Sequence, residues 1–300
     1  MTTRSARLLV VVAAAGALAA SMGTTAQAAP AAAPRGAEGC IAQVATVDRD
    51  ARLMAHDLQG NAKGAAVKVR GSDGRLGSKP KALAFAGEAG DPSGGERLYY
   101  AVTSAGRLNQ ITVHTTWMGT YKTKMTTKQL GRGFDAVALA AYDGIVDGDP
   151  AYIYIVDRKG NLTRRTYSDQ GKLGRAALVA KGVGAPRSMS MSRSIDVKNR
   201  DGAKTTTADV LLLNDARSGA LKEIVVPRSA PGKTRVSTLQ RSGWGGYTQV
   251  QRLECGSDTR SGFVAVRANG TGVVFSDANM TDLSGRDIRK VGPVSGRFAR

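Results

Sequence analysis

The chain has 300 residues, with 43 lysines and arginines against 24 acids and a net charge of +19. A hydrophobic fraction of 42% is enough to build a core, which excludes a disordered basic tail. The cation excess favours anionic partners such as acidic glycans, teichoic-type polymers, membranes or nucleic acid. Because the basic residues are spread along the chain, a merely solvated cationic surface stays open beside a polyanion site.

In chain order, Arg4 and Arg7 precede an uncharged run, Leu8 to Ala20, and Ala26-Gln27-Ala28 follows as an A-x-A cleavage pattern. These three features in this order predict a secretory signal peptide over 1–28 and an extracellular protein. The run is too short for a transmembrane anchor, which needs ~20 apolar residues. Cys40 follows Ala37-Glu38-Gly39, which is a poor lipidation box, and it lies far beyond the apolar run. The Ala/Pro-rich segment 29–39 is expected to be a disordered linker, and 40–300 a single folded domain.

From residue 41 onward a short β-run, a turn and a second β-run recur. The runs beginning at Leu98, Tyr152, Val210 and Phe263 are followed by turns ending in Gly106, Gly160, Gly219 and Gly270; the first copy, from Ile41, turns at Ala51. Glycine supplies the positive φ of tight turns in four of the five. Leu53, Leu108, Leu162, Leu221 and Val273 follow the turns at a spacing of 52–59 residues. A second glycine motif follows each hairpin: Leu76-Gly77, Leu130-Gly131, Lys181-Gly182, Ser242-Gly-Trp244 and Val291-Gly292. Short β-segments come next at Ala82–Phe85, Ala136–Leu139, Ser188–Met191 and Tyr247–Val250. Helix patterns are absent. A period near 50 with four strands per unit predicts an all-β fold, a single β-propeller of five four-stranded blades. The first copy lacks its own innermost strand, and the C-terminal Ser295–Arg300 is expected to supply it and close the ring.

The two cysteines of an exported chain suggest one disulfide. In this register Cys255 ends the innermost strand of the fifth blade and Cys40 starts the second strand of the first. These blades are ring neighbours, so a Cys40–Cys255 bond would staple the seam.

The stretch Ala208-Asp-Val-Leu-Leu-Leu-Asn-Asp-Ala-Arg-Ser-Gly-Ala-Leu221, with Ser242-Gly-Trp-Gly-Gly-Tyr247, resembles the repeats of tachylectin-like and VCBS (FG-GAP-type) propellers. That resemblance implies a ring of five to seven blades, sugar pockets between blades and, in many FG-GAP-type repeats, an acidic calcium loop. Trp244, with Trp117 and Tyr247, is the candidate sugar platform, though a tryptophan at this place is as often packing between blades. Asp143, Asp147 and Asp149 form the weak candidate for Ca2+, since their spacing departs from the alternating acids that such a loop needs. No cofactor is expected otherwise.

No catalytic constellation assembles: the chain has two histidines, His56 and His114, and no nucleophile elbow, metalloprotease helix or phosphate loop. Asp135, Asp143 and Glu254 at strand ends are the set a propeller glycosidase would use. The leading expectation is a secreted, monomeric, non-catalytic binding protein, lectin-like or directed at an anionic cell-envelope polymer. No nucleic-acid role or membrane anchor is expected. A secreted protein-interaction or signalling propeller is the alternative, and a glycan-cleaving enzyme comes third.

Overall fold

A computed structural model describes residues 40–299 apart from 62–63, 92–93, 118–120, 143–149, 169–170, 199–204, 256–260 and 280–283. Nineteen strands are described: β1 Cys40–Val47, β2 Arg52–Asn61, β3 Gly64–Arg75, β4 Ala82–Asp91, β5 Gly94–Val102, β6 Leu108–Trp117, β7 Tyr121–Gly131, β8 Ala136–Tyr142, β9 Ala151–Asp157, β10 Leu162–Tyr167, β11 Ala177–Ala180, β12 Pro186–Lys198, β13 Thr205–Asp215, β14 Leu221–Pro227, β15 Arg235–Gln240, β16 Tyr247–Cys255, β17 Ser261–Arg267, β18 Gly272–Asp277 and β19 Arg289–Ser295. One 3-10 turn, Pro231–Lys233, interrupts this all-β order.

Strands β4–β7, β8–β11 and β12–β15 form three four-stranded sheets, each an antiparallel meander. The remaining seven join in the order β1-β16-β17-β18-β19-β3-β2. Within this system β16–β19 make another meander and β1–β3 a three-stranded one. Only two short pairings connect them: β1 with β16 at Cys40↔Cys255 and Ile41↔Glu254, and β19 with β3, in parallel, at Val294↔Ala65 and Ser295↔Ala66.

The second strand of each four-stranded meander carries a stretch that is covered on both faces. Leu98–Val102, Ala151–Val156, Ala208–Leu213 and Ser261–Val266 are buried without a break. That continuous pattern marks strands sandwiched between neighbours, where a one-sided sheet would alternate. Five apolar cores fill the spaces between successive sheets. One joins β1 and β2 to β5 and β6, the next β4–β6 to β8 and β9, the third β8–β10 to β12–β14, the fourth β13 and β14 to β16–β18, and the last β16–β19 to β1–β3. The chain thus closes on itself around a central cavity lined by β1, β4, β8, β12 and β16. Sheets arranged radially about a central channel make a β-propeller.

Three of the spaces between sheets also hold buried charge. Asp73 takes the Arg97 guanidinium and the Tyr99 hydroxyl, the latter at 2.9 Å. Asp209 accepts from Tyr154 at 2.5 Å and Arg228 at 2.9 Å, and burial beside that carboxylate pushes the Tyr154 phenol far up. Glu223 lies between Arg193 and Arg252, at 3.7 and 3.9 Å. Burial, helped by the Arg193 charge, lowers the Arg252 guanidinium to about 10.

One backbone contact recurs in every repeat. The residue closing each central hairpin turn has positive φ: Ala51 (58°), Gly106 (69°), Gly160 (77°), Gly219 (69°) and Gly270 (79°). Its carbonyl accepts the backbone N–H of an apolar anchor in the segment leading to the next sheet. Leu76 donates to Ala51 at 2.8 Å, Phe134 to Gly106 at 3.0 Å, Val183 to Gly160 at 3.0 Å, Trp244 to Gly219 at 2.9 Å and Phe298 to Gly270 at 2.9 Å. The turn at Ala51 therefore occupies the place of the β5–β6 turn, and β1 is a second strand, as the repeat register predicts.

Two expectations are corrected. The C-terminal segment does not add an innermost strand: residues 296–299 follow β19 without strand pairing, and the Ala299 carbonyl instead accepts the Thr46 hydroxyl at 2.6 Å. Phe298 is already the anchor, held to Gly270, and not part of a strand. Likewise Val291-Gly292 is not the last linking motif but lies inside β19; Gly296-Arg-Phe298 takes that role.

A left-handed backbone costs a side-chain-bearing residue about 1–2 kcal/mol. A Cβ on Gly270 would also come within 2.5 Å of the Phe298 carbonyl oxygen. Gly270→Ala is therefore expected to lose at least that much stability in urea titrations. Ala51→Gly should match or exceed wild type by up to about 1 kcal/mol, since glycine's extra freedom in the unfolded chain offsets part of the gain. A clearly less stable Ala51→Gly variant would contradict the strain at this turn.

Candidate functional site

The anchor contacts place the hairpin turns and the sheet-to-sheet segments at one end of the ring, termed here the turn face. Its acids are largely engaged in shaping the turns. Asp48 accepts the N–H of Asp50 and Arg52 at 2.9 and 2.8 Å; Asp157 accepts those of Lys159 and Asn161, both at 2.9 Å. Asp215 is buried, which alone raises a carboxyl's pKa. The Lys222 ammonium at 3.1 Å and the N–H groups of Arg217 and Ala185 outweigh this and hold it at about 2.

The cations of the turn face are arranged differently. Each sheet-to-sheet segment places an exposed one within three residues before its anchor: Arg75, Arg132, Lys181, Arg241 and Arg297. None of the five forms an ion pair among the described residues, and Arg75 is held by the Asp50 carbonyl at 3.0 Å. The reason is local: the anchor must face inward, so its polar predecessors face water. Two surface cavities open between these segments. One, of about 520 Å3, lies beside Arg75 and Arg107; the other, of about 480 Å3, lies beside Arg49, Lys79 and Arg297.

The central cavity measures about 190 Å3. β1 faces it directly, beside the innermost strands β4, β8, β12 and β16. Lys79, Lys81 and Arg187 line it where β4 and β12 begin, at the turn-face mouth, and all three are exposed. Its described lining residues include no carboxylate.

The sites expected from sequence are distributed otherwise. Trp244 is 2% exposed, donates from Nε1 to Gln240 at 2.8 Å and packs on Phe275 with ring centroids 4.5 Å apart. As the fourth anchor it is a core residue, which corrects its candidacy as a sugar platform. Tyr247 is buried against it, under the Arg267 guanidinium. The side chain of Trp117 lies outside the described residues, as do Asp143, Asp147 and Asp149. Among the described residues no group of three or more potential metal ligands occurs. Asp135 is exposed and paired with Arg158 at 2.9 Å. It precedes β8 on the turn face, whereas Glu254 is at the far end of β16, so the carboxylate set does not assemble. His56 is buried, with Nε2 2.9 Å from the Thr46 hydroxyl, and His114 is exposed beside Glu96 at 3.2 Å. The linking-segment cations are the feature that sequence reading missed. Their signal, a cation shortly before each anchor, becomes visible only once the anchors are known.

No protein-family model and no curated protein matches the chain. Solved structures do show likeness. AofleA from Arthrobotrys oligospora is 13% identical with a TM-score of 0.47, over 89% of this chain and 71% of that one. Aleuria aurantia lectin, a six-bladed fucose-recognising propeller, is 10% identical with a TM-score of 0.39, over 88% and 98%. The fission yeast SREBP–SCAP binding domains are 9% identical with a TM-score of 0.33, over 81% and 62%. Among the described residues no helix is long and apolar enough to cross a membrane.

Because Trp244 is core, Trp244→Ala should cost about 3–5 kcal/mol in stability. Chemical denaturation followed by circular dichroism checks this. An unchanged midpoint would mean that the ring is not part of the packing.

Proposed function

We propose that this chain is a secreted, non-catalytic binding protein: a five-bladed propeller whose turn face takes an anionic glycan or other polyanionic polymer of the cell envelope. One observation carries the reading, namely the exposed cation before each anchor: Arg75, Arg132, Lys181, Arg241 and Arg297. Spaced around a ring, these cations match a ligand with repeated negative charge better than a single small sugar. The five blades follow from counting β1–β3 as a three-stranded first blade and β16–β19 as the last. Export follows from Arg4, Arg7, the uncharged run and the A-x-A site.

A Cys40–Cys255 disulfide belongs to the same reading. The two residues face each other directly across the β1–β16 pairing. Directly opposed antiparallel residues have Cα atoms ~4.5–5.5 Å apart, inside the range a disulfide spans. Such a bond closes a loop of over two hundred residues, for which chain entropy allows up to about 5 kcal/mol. The unreduced, denatured chain should resist alkylation at both cysteines and melt at a higher temperature than the reduced one. Modification of both thiols without reductant would rule the bond out.

The binding test uses an acidic polysaccharide and a neutral one of similar length. Affinity for the acidic polymer should fall steeply as salt rises, while the neutral polymer should not bind. Changing Arg132, Lys181 and Arg241 to Gln should weaken binding by about fivefold for each cation that touches the polymer, from ~1 kcal/mol per solvated contact. Salt-resistant binding of the neutral polymer, or no binding of either, would sink the proposal.

A further inference from the structure

The central cavity has a composition that the polymer reading does not require. Its hydroxyl-bearing wall residues are committed to the scaffold. Thr46 donates to Ala299, Ser188 to Asn214, Ser190 to the Val250 carbonyl and Thr248 to the Val266 carbonyl, at 2.6–3.1 Å. The Gln249 amide donates to the Ala45 carbonyl at 3.1 Å. These donors are spent within the scaffold, which leaves few of them for a neutral sugar to engage. Lys79, Lys81 and Arg187 are different. They make no ion pair or side-chain hydrogen bond with a described residue, and they line one small space together with no described carboxylate. β4 and β12, the strands they introduce, approach each other across the centre. Like charges held together without a counter-charge repel, and low-dielectric walls intensify their field at the mouth.

We propose that the turn-face mouth of the central cavity is a discrete site for an oxyanion of the phosphate or sulfate class, held by Lys79, Lys81 and Arg187. The guanidinium suits two oxygens of such a group at once, and the two ammonium groups act as point charges on the rest. The anion is either a free ion or the terminal group of a longer chain. The site stands whether or not the linking-segment cations bind a polymer.

Titration calorimetry with inorganic phosphate and sulfate at low salt tests this on the full folded protein. The variant Lys79→Gln/Lys81→Gln/Arg187→Gln is compared with Arg132→Gln/Lys181→Gln/Arg241→Gln, which removes the same charge elsewhere on the face. All six residues are exposed, so both variants should melt like wild type. The expected result is saturable one-site binding that weakens about tenfold or more in the first variant and stays within about twofold in the second. Polyphosphate then separates the two sources: a parallel loss in the first variant marks a terminal group, and an unchanged affinity marks a free ion. Equal weakening in both variants would mean diffuse charge attraction and overturn the site, as would the absence of saturable binding. If the second variant alone loses the acidic polysaccharide, the polymer reading holds independently. If neither polymer nor ion binds, both fail.

Discussion

The ring depends on the bond between a left-handed turn carbonyl and the N–H of an inward-facing anchor. Most of the contact between one meander and the next is apolar, and apolar packing is non-directional, so it does little to orient them. The anchor bond supplies the direction. It fixes where the linking segment crosses the hairpin, and hence which residue plugs the space between two sheets. Leu76, Phe134, Val183, Trp244 and Phe298 differ in volume, yet all fill that position, because the backbone bond sets the place and the neighbouring side chains adapt. The positive φ aims the carbonyl, so glycine is used four times and Ala51 holds the same conformation at a cost.

Much of this was legible in the sequence because turns and buried strands carry strong local signals. The glycines at 106, 160, 219 and 270, with the leucines and valine after them, marked the hairpins, and their spacing marked the repeat. The β1 segment was read as a second strand, and its register with β16 does bring Cys40 opposite Cys255. The ring closure was misjudged because strand pairing between distant segments has no local signature. From sequence a strand over Ser295–Arg300 is expected, whereas Phe298 instead serves as an anchor and Ala299 bonds to Thr46. At Trp244 the sequence leaves two readings open, a sugar platform or packing between blades. The folded ring decides it, with Phe275 beneath the indole and Gln240 at its Nε1. The linking-segment cations were hidden because their offset from the anchor varies from one to three residues.

Between the sheets, polar groups give each seam its own character. The first space has Asp73 with Arg97, the third has Asp209 with Arg228 and Tyr154, and the fourth has Glu223 between two arginines. In the last space the Thr46 hydroxyl donates to the Ala299 carbonyl and sits against His56. Removing one member of such a group strands a charge in the interior, at about 3–5 kcal/mol. A sheet paired with the wrong neighbour would do the same. Five similar meanders need some means of telling neighbours apart, and uniform apolar faces would not provide one.

The same division of labour separates scaffold from surface. Acids and hydroxyls are spent inside, on turns, seams and the walls of the central cavity. Exposed cations precede the anchors, and three more line the cavity mouth. This follows from the fold as much as from composition. An anchor drawn inward forces its predecessors outward, and past the Leu76 and Val183 anchors the chain carries Lys79, Lys81 and Arg187 to the central cavity where β4 and β12 begin. The cations before the anchors and those at the cavity mouth thus share the end of the ring where the linking segments meet.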